Sequence, residues 1–268
     1  MRLSSYTCLF LAVSFLSVSC TTVPLTGRKQ FNLIPSATML SMSFQQYDEF
    51  LNTHTVSKNQ QQTQMVKTVG KRVQKAVESY FSGRNMAYEL DGYNWTFNLV
   101  EDSEVNAWCM PGGKVVVYTG MWSVVTDEAG LAVVIGHEVA HAVANHGSER
   151  LSEDLVTELG GMALSKALEE KPEKTRQLWM TAFGLGAQVG FVLPYSRLQE
   201  SEADHLGLIF MAMAGYDPNR AVTFWEKMSQ MQGGKVIPEF VSTHPSDATR
   251  IQNIKKLLPE AMKYYKKT

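Results

Sequence analysis

The 268-residue chain predicts an α+β domain that is predominantly helical and carries one small sheet. Apolar residues recur at helical spacing over most of the stretch from residue 36 to residue 263. Runs that alternate between apolar and polar residues are concentrated at 95–119, which indicates a few short strands. An apolar, alanine-rich helix is predicted directly afterwards, at 126–147. We therefore expect the sheet to lie beside that helix.

The bulk composition indicates a globular protein without a nucleic-acid partner. Hydrophobic residues make up 44% of the chain and charged residues 19%, which supplies enough apolar material for a sizeable core. The formal net charge is −1, and no basic run is long enough to follow a phosphate backbone. We therefore expect no binding to DNA or RNA.

The first 19 residues predict a signal peptide. A basic start is followed by an apolar run that is too short to span a bilayer. Ser17-Val18-Ser19-Cys20 resembles a bacterial lipobox, although Ser17 stands where leucine is usual. This pattern predicts a lipid on Cys20.

This interpretation of the N-terminus divides the chain into three segments. Residues 1–19 are the lipoprotein signal, 20–35 a lipid-anchored tether rich in turn signals, and 36–268 the folded domain. Thr21 replaces the aspartate that commonly retains such lipoproteins at the inner membrane. We therefore expect a lipid-anchored protein at the bacterial outer membrane, facing the periplasm.

Cysteine usage restricts the possible metal ligands. With the signal removed and Cys20 acylated, Cys109 is the one cysteine left, so neither an internal disulfide nor a multi-cysteine zinc site can form. Any metal ion must be held by histidine and carboxylate side chains.

Two helices and a short sheet are predicted before the buried helix. The helices cover 36–52 and 59–81, where apolar side chains recur at helical spacing. The strands are expected at 95–100, 105–110 and 114–119, with Pro111-Gly112-Gly113 as the turn between the last two. Both helices are expected to be scaffold.

Local signals predict the ends of the buried helix. Thr126 is a candidate N-cap, and Asp127 and Glu128 suit the positive end of the helix dipole. Gly147 is a candidate stop. The helix should therefore run from about residue 127 to residue 146.

The buried helix carries a histidine pair with metal-ligand spacing. His137 and His141 lie one turn apart on the same helix face, as in an H-E-x-x-H motif. Glu138 lies about 100° around the helix, where it can reach a water molecule rather than the metal. The alternative is a buried helix with two hydrogen-bonded histidines.

A third ligand is predicted on a second helix, at 195–215. Glu200 and Asp204 are neighbours on one face of that helix. Glu200 supplies the carboxylate ligand, and Asp204 can accept a hydrogen bond from a ligating histidine. Glu202 is expected to be solvated, and His205 has the wrong spacing from Glu200 to join it.

Helices are also predicted for most of the remaining chain. They are expected at 149–170, 217–233 and 247–263. The stretch 178–193 carries no charged residue. Because it is short for a membrane span and contains several glycines, we expect a buried, closely packed helix rather than a membrane-associated one.

Three motifs together resemble one protein family. The strings HEVAH, YSRLQESEAD and STHP are similar to those of metallopeptidase family 48, which includes HtpX, the CAAX proteases and the mitochondrial OMA peptidases. The short bacterial LoiP-like lipoproteins match best, including VPLTGR and NAWCMPGG. The resemblance covers nearly the whole chain after the signal and implies a gluzincin-type zinc peptidase domain.

The resemblance implies a role for each motif residue. His137, His141 and Glu200 become the ligands of one Zn²⁺ ion, Glu138 the general base, and Asp204 a residue that supports a ligand. The family pattern also brings a histidine of the STHP string, His244, close to the metal. The implied substrate-binding edge contains Asn106, Ala107, Trp108 and Cys109.

Two roles are open for His244, which precedes a proline in a predicted loop. It can donate to the oxyanion of the reaction, a role for which Tyr195 and Arg197 are the other candidates. Alternatively, its imidazole fills the fourth position on the metal and keeps the enzyme latent until substrate displaces it.

The expected function is a zinc endopeptidase that acts on misfolded or unassembled envelope proteins. The first alternative is a metal-binding chaperone or assembly factor for outer-membrane proteins with little proteolysis. The second is a zinc hydrolase of a non-protein amide such as peptidoglycan, for which the sequence contains no recognisable wall-binding module.

Overall fold

A computed structural model describes residues 20–23, 26–187, 193–232, 239–244 and 248–266. Their contacts divide the chain into two compact units. The smaller unit consists of the described parts of Met1–Ser36 and Asn145–Leu198, and the larger unit of those of Ala37–Ala144 and Gln199–Thr268. The predicted signal, residues 1–19, lies outside the described residues, so the signal and the lipid on Cys20 stay predictions.

The predicted fold class, mainly helical α+β, is confirmed. The strands are β1 Cys20–Thr22, β2 Lys29–Phe31, β3 Thr96–Val100, β4 Ala107–Met110 and β5 Lys114–Tyr118. The helices are α1 Ser36–Thr53, α2 Gln60–Ser82, α3 Glu128–Val143, α4 His146–Ala167, α5 Glu173–Ala187, α6 Leu193–Met213, α7 Arg220–Gln232, α8 Glu239–Thr243 and α9 Ala248–Ala261. Short 3₁₀ helices occur at Ala87–Leu90 and Thr119–Ser123.

The sheet of the larger unit has the order β3-β5-β4. Strand β5 is parallel to β3 and antiparallel to β4, so β4 is an edge strand. The turn between β4 and β5 places Gly112 and Gly113 at positive φ, which explains the two glycines of the predicted turn. Every residue of β5 is buried, because the strand is central in the sheet and covered on both faces.

Helices cover the sheet and place α3 beside it, as the sequence predicts. Helix α1 packs on one face through a cluster that includes Tyr47, Phe50 and Trp108. Helix α2 contacts β3, and α3 contacts both α2 and the edge strand β4. The sheet therefore forms one wall against the helix that carries the histidine pair.

Helix α3 differs from its predicted limits at both ends. Asp127, not Thr126, is the N-cap, and its Oδ1 accepts a hydrogen bond of 2.8 Å from the Gly130 N–H. The helix ends at Val143, and Asn145 then takes a left-handed conformation with φ of 57°. Gly147 lies inside α4 instead, because Asn145 supplies the reversal that the prediction assigned to glycine.

Two glycines bring the backbones of α3 and α6 into contact. A Cβ atom added to Gly136 would lie 3.0 Å from the Gly207 carbonyl oxygen, and one added to Gly207 would lie 3.0 Å from the His137 nitrogen. No side chain separates the two helices at this crossing. Their spacing, and with it the spacing of the predicted metal ligands, depends on the absence of side chains here.

In the smaller unit, the described part of the predicted tether forms a hairpin on α4. Strands β1 and β2 pair antiparallel. The Arg28 guanidinium donates to both carboxylate oxygens of Glu149, at 2.8 and 2.7 Å, and the Leu33 N–H donates to Ser152 Oγ at 2.9 Å. These contacts attach the segment to the N-terminal half of α4.

The prediction of a buried helix at 178–193 is wrong for the part that the structure describes. Helix α5 exposes 69% of Leu178, 54% of Trp179 and 59% of Leu185. The lack of charged residues in a stretch does not by itself show that another part of the chain covers it. Helix α5 packs on α4 at Phe183, which lies against Gly160. None of the helices among the described residues has the length and hydropathy needed to cross a bilayer.

We expect Gly207→Ala to destabilise the protein by about 1–3 kcal/mol, since the new methyl group would push on the backbone of α3. The matched control is Gly184→Ala, a helical glycine with nothing within 4 Å of its Cβ position. That change should leave stability unchanged or raise it by up to about 1 kcal/mol. Urea unfolding measures both, and equal stability of the two variants would contradict the importance of the crossing.

Candidate metal centre

Four buried side chains converge in the larger unit. His137 and His141 come from α3, Glu200 from α6, and His244 from the residue that follows α8. One ligand atom of each lies within 4.8 Å of the ligand atoms of the other three. The structure thus brings together the three residues predicted as metal ligands, and His244 lies with them, as the resemblance implies.

The distances fit the edges of a tetrahedron around one metal ion. His137 Nε2 lies 3.1 Å from His141 Nε2 and 3.2 Å from His244 Nδ1. The Glu200 oxygens lie 3.0–3.3 Å from these nitrogen atoms. Zinc bonds of about 2.0–2.2 Å separate tetrahedral ligand atoms by roughly 3.3–3.6 Å, so shifts of a few tenths of an ångström suffice. The donor set is therefore consistent with zinc, the predicted cofactor.

Helix geometry explains how distant parts of the chain meet here. His137 and His141 are one turn apart on α3, and Gly136 lies directly before the pair. On α6, Glu200 lies about two turns before Gly207. The glycine crossing thus sets the distance from the carboxylate to both imidazoles.

Burial and mutual charge perturb the pKa values of the cluster. Burial lowers the pKa of His137, but the neighbouring Asp204 and Glu200 carboxylates outweigh it and raise that pKa to about 9. Burial raises the pKa of Glu200, yet His141 and His244 hold it well below its usual range. The carboxylates therefore remain ionised and attract positive charge to the centre.

Asp204 lies where the sequence places it. Its Oδ1 is 3.1 Å from Nδ1 of His137, the ring nitrogen that faces away from the cluster. Burial raises the pKa of Asp204, but the Arg250 guanidinium outweighs this effect and lowers it. An ionised Asp204 favours the His137 tautomer with the proton on Nδ1 and a lone pair on Nε2.

Sequence reasoning missed Arg250. This residue of α9 is buried and donates two hydrogen bonds of 2.8 Å to the two oxygens of Asp204. Its Nη1 also lies 3.2 Å from Glu200 Oε2. A single arginine on a lysine-rich helix reads as solvated, so the sequence offered no local signal for its burial.

Glu138 is buried beside the cluster. Its Oε1 lies 3.4 Å from Nε2 of His244, and the residue is 5% exposed. His244 thus stands between two carboxylates, with Nδ1 towards Glu200 and Nε2 towards Glu138.

The other candidates are distributed differently. His205 pairs with Glu260 at 3.0 Å and takes no part in the cluster, in line with its spacing. The expectation that Glu202 is solvated is wrong, because only 7% of the residue is exposed on the packed α6. Arg197 is exposed, and the side chain of Tyr195 lies outside the described residues.

The predicted substrate-binding residues form the start of the edge strand. Ala107, Trp108 and Cys109 lie in β4, and Asn106 directly precedes it. The Asn106 carbonyl accepts a hydrogen bond of 3.0 Å from the Tyr118 N–H, so the backbone groups of Ala107 and Cys109 point away from β5. The Asn106 side chain already accepts the Ala107 N–H at 2.8 Å. Cys109 therefore presents its backbone N–H and C=O on the side of β4 that faces away from β5, and no described strand pairs with that side.

Together, a buried H-E-x-x-H helix and a carboxylate from a second helix define a metallopeptidase of the zinc-dependent type. Comparison with known proteins agrees with this class. The family model for peptidase family M48 matches residues 67–258, and the chain belongs to that family. The predicted family and the predicted metalloendopeptidase class are thereby confirmed.

Several curated relatives carry the name of a mitochondrial metalloendopeptidase, OMA1. The Schizosaccharomyces pombe protein is 37% identical over 174 residues, which cover 64% of this chain and 49% of the relative. The Bos taurus protein is 30% identical over 273 residues, covering 97% and 50%. The Escherichia coli beta-barrel assembly-enhancing protease is 26% identical over 175 residues, covering 58% and 32%. The chain thus spans half or less of these relatives.

The predicted location at a bacterial outer membrane is contradicted by these relatives. The OMA1 proteins of fission yeast and cattle are mitochondrial by name, and the likeness to them covers 64% and 97% of this chain. The prediction rested on a few residues around Cys20, which lie before the segment that the family model matches.

We expect the chain to bind one zinc ion and to gain stability from it. A saturating ligand at a hundred times its dissociation constant adds about 2.7 kcal/mol to the free energy of unfolding. Metal analysis and thermal unfolding before and after chelation measure the effect. His141→Ala should abolish the gain, whereas His205→Ala, outside the cluster, should keep it. Equal zinc binding by both variants would refute the site.

Proposed function

We propose that the protein is a zinc endopeptidase that hydrolyses peptide bonds of unfolded or unassembled proteins. The observation that carries the proposal is the buried convergence of His137, His141 and Glu200 with Glu138 alongside. The names of the relatives, a metalloendopeptidase and an assembly-enhancing protease, support the same activity. His137, His141 and Glu200 are the proposed metal ligands.

Bound zinc would act as a Lewis acid that polarises the scissile carbonyl and makes water more acidic. Glu138 is the proposed base, since it lies next to a ligand on the same buried helix. It accepts the proton of the attacking water and returns it to the leaving amine.

The edge strand supports an extended polypeptide as substrate. The backbone N–H and C=O of Cys109 face the open side of β4, where a peptide can add as a further strand. Such pairing reads the backbone rather than the sequence, which suits unfolded proteins as substrates. Helix α3 contacts the same strand, so a peptide added there lies beside the helix that carries Glu138.

His244 is proposed to restrain the enzyme in this conformation. Its Nδ1 lies 3.0 Å from the Glu200 oxygens and 3.2 Å from His137 Nε2. In the proposed tetrahedral ligand set, His244 Nδ1 therefore occupies the fourth corner. A water molecule and His244 Nδ1 cannot share that corner. Movement of His244 away from it would leave the imidazole close to Glu138, where an oxyanion donor is also needed.

Glu138→Gln should lower the turnover of an unfolded substrate such as casein by about 10²–10⁴-fold while zinc content stays unchanged. The amide keeps the shape of the side chain but cannot accept the proton. Glu128→Gln, on the same helix, is the control and should cleave at the native rate. Native turnover in Glu138→Gln would reject the assigned base.

The same assay separates a protease from a metal-binding chaperone. A chaperone would suppress aggregation of the unfolded substrate without producing fragments, whether or not a chelator is present. Chelator-sensitive fragments in the wild type, absent in Glu138→Gln, support the protease.

We expect His244→Ala to raise basal casein cleavage severalfold with zinc retained, because the fourth corner becomes available to water. His205→Ala is the control, as this histidine pairs with Glu260 away from the cluster. Initial rates at saturating zinc measure the change. Loss of cleavage with unchanged KM would instead assign His244 to transition-state stabilisation.

A further inference from the structure

Arg250 is a buried cation placed directly behind the ligand cluster. It is 8% exposed, its guanidinium contacts both oxygens of Asp204, and its Nη1 lies 3.2 Å from Glu200 Oε2. The guanidinium also lies 3.5 Å above the ring of Trp225, which is 1% exposed. The guanidinium therefore contacts two carboxylates and an indole ring, and its Nη2 also lies 3.4 Å from Nε2 of His137.

A permanent positive charge here has an electrostatic cost for metal binding. A guanidinium this close to the cluster repels a divalent cation, and the low local dielectric increases that repulsion. Asp204 and Glu200 could bind a metal more strongly without it. The position of Arg250 therefore calls for a role that offsets the repulsion.

We propose that Arg250 is a positioning residue that sets how Glu200 and His137 present their ligand atoms. The inference rests on the proposed metal site of His137, His141 and Glu200. Arg250 Nη1 lies 3.2 Å from Glu200 Oε2 and so acts directly on one of the two carboxylate oxygens. Oε1 lies 3.2 Å from His141 Nε2, and Oε2 lies 3.3 Å from His137 Nε2. Because the guanidinium competes with a metal ion for Oε2, Oε1 is the favoured ligand atom. Arg250 thus favours coordination through one oxygen.

The second part of the role runs through Asp204. Two parallel hydrogen bonds of 2.8 Å from the guanidinium fix the plane of the Asp204 carboxylate. In that orientation Oδ1 lies 3.1 Å from His137 Nδ1, where its negative charge favours the tautomer with the proton on Nδ1 and the lone pair on Nε2. A lysine in place of Arg250 would keep the charge but lose this paired geometry.

The decisive variant is Arg250→Lys, with Arg220→Lys as the matched control. Arg220 pairs with Asp127 at 2.7 Å on the exposed surface, away from the cluster. Zinc affinity is measured by competition with a chromophoric chelator, and the visible spectrum of the Co²⁺-loaded protein reports coordination number. Thermal unfolding of the metal-free protein records any purely structural effect.

We expect Arg250→Lys to lower zinc affinity by about 10–100-fold, the usual effect of changing a residue that supports a metal ligand. The Co²⁺ spectrum should shift from a four-coordinate towards a five-coordinate pattern as Glu200 becomes bidentate. At saturating zinc, kcat should fall with KM nearly unchanged. Arg220→Lys should match the wild type in all of these measurements.

Wild-type zinc affinity and a wild-type Co²⁺ spectrum in Arg250→Lys would overturn the proposal, even if the metal-free protein unfolds at a lower temperature. If Arg250→Lys does not fold, Asp204→Asn replaces it and should show the same loss of affinity. Unchanged affinity in Asp204→Asn would equally overturn the proposal. If both fold, the double variant should lose less than the sum of the two, because both act on His137.

Failure of the proposed function would look different. A wild-type protein that binds zinc tightly but does not cleave casein would reject the endopeptidase, while the effect of Arg250→Lys on zinc affinity would stand. A wild-type protein that cleaves casein while Arg250→Lys keeps its affinity and spectrum would reject only the role of Arg250.

Discussion

The contact between Gly136 on α3 and Gly207 on α6 sets the geometry on which the metal centre depends. A Cβ atom at either position would lie 3.0 Å from the backbone of the other helix. The two helices therefore cross at a distance that no other residue type allows without displacement. Because His137 follows Gly136 and Glu200 lies about two turns before Gly207, this contact fixes imidazole and carboxylate at ligand-to-ligand spacing.

Charge balance is the second constraint on the centre. Glu138, Glu200 and Asp204 are all buried within one small region, and unpaired carboxylates there would be strongly unfavourable. Arg250 neutralises part of this charge permanently, and the raised pKa of His137 shows that the rest attracts a positive partner. A bound divalent cation would neutralise the remaining negative charge of these carboxylates. The packing of α9 and the chemistry of the metal site are therefore linked through one guanidinium.

Predictions from the sequence were correct for residues paired within one helix and less accurate for features that depend on distant parts of the chain. Spacing along one helix correctly paired His137 with His141, and Glu200 with Asp204. Two predictions of burial were wrong, because burial depends on which other elements pack against a helix. Glu202 is buried by the packing of α6, and Leu178, Trp179 and Leu185 of the uncharged stretch are exposed on α5. The absence or presence of charge predicts burial only when the surrounding surface is known.

The order of residues by itself determined the helical α+β class, the family and the two pairs of chemically active positions, since these follow from local periodicity and motif spacing. Only the tertiary structure shows that Glu200 lies beside the histidine pair, that His244 joins them within 4.8 Å, and that Arg250 contacts Glu200. The contacts that join these elements connect residues 44 to 113 positions apart. Helix crossing angles and close packing set them rather than any pattern along the chain.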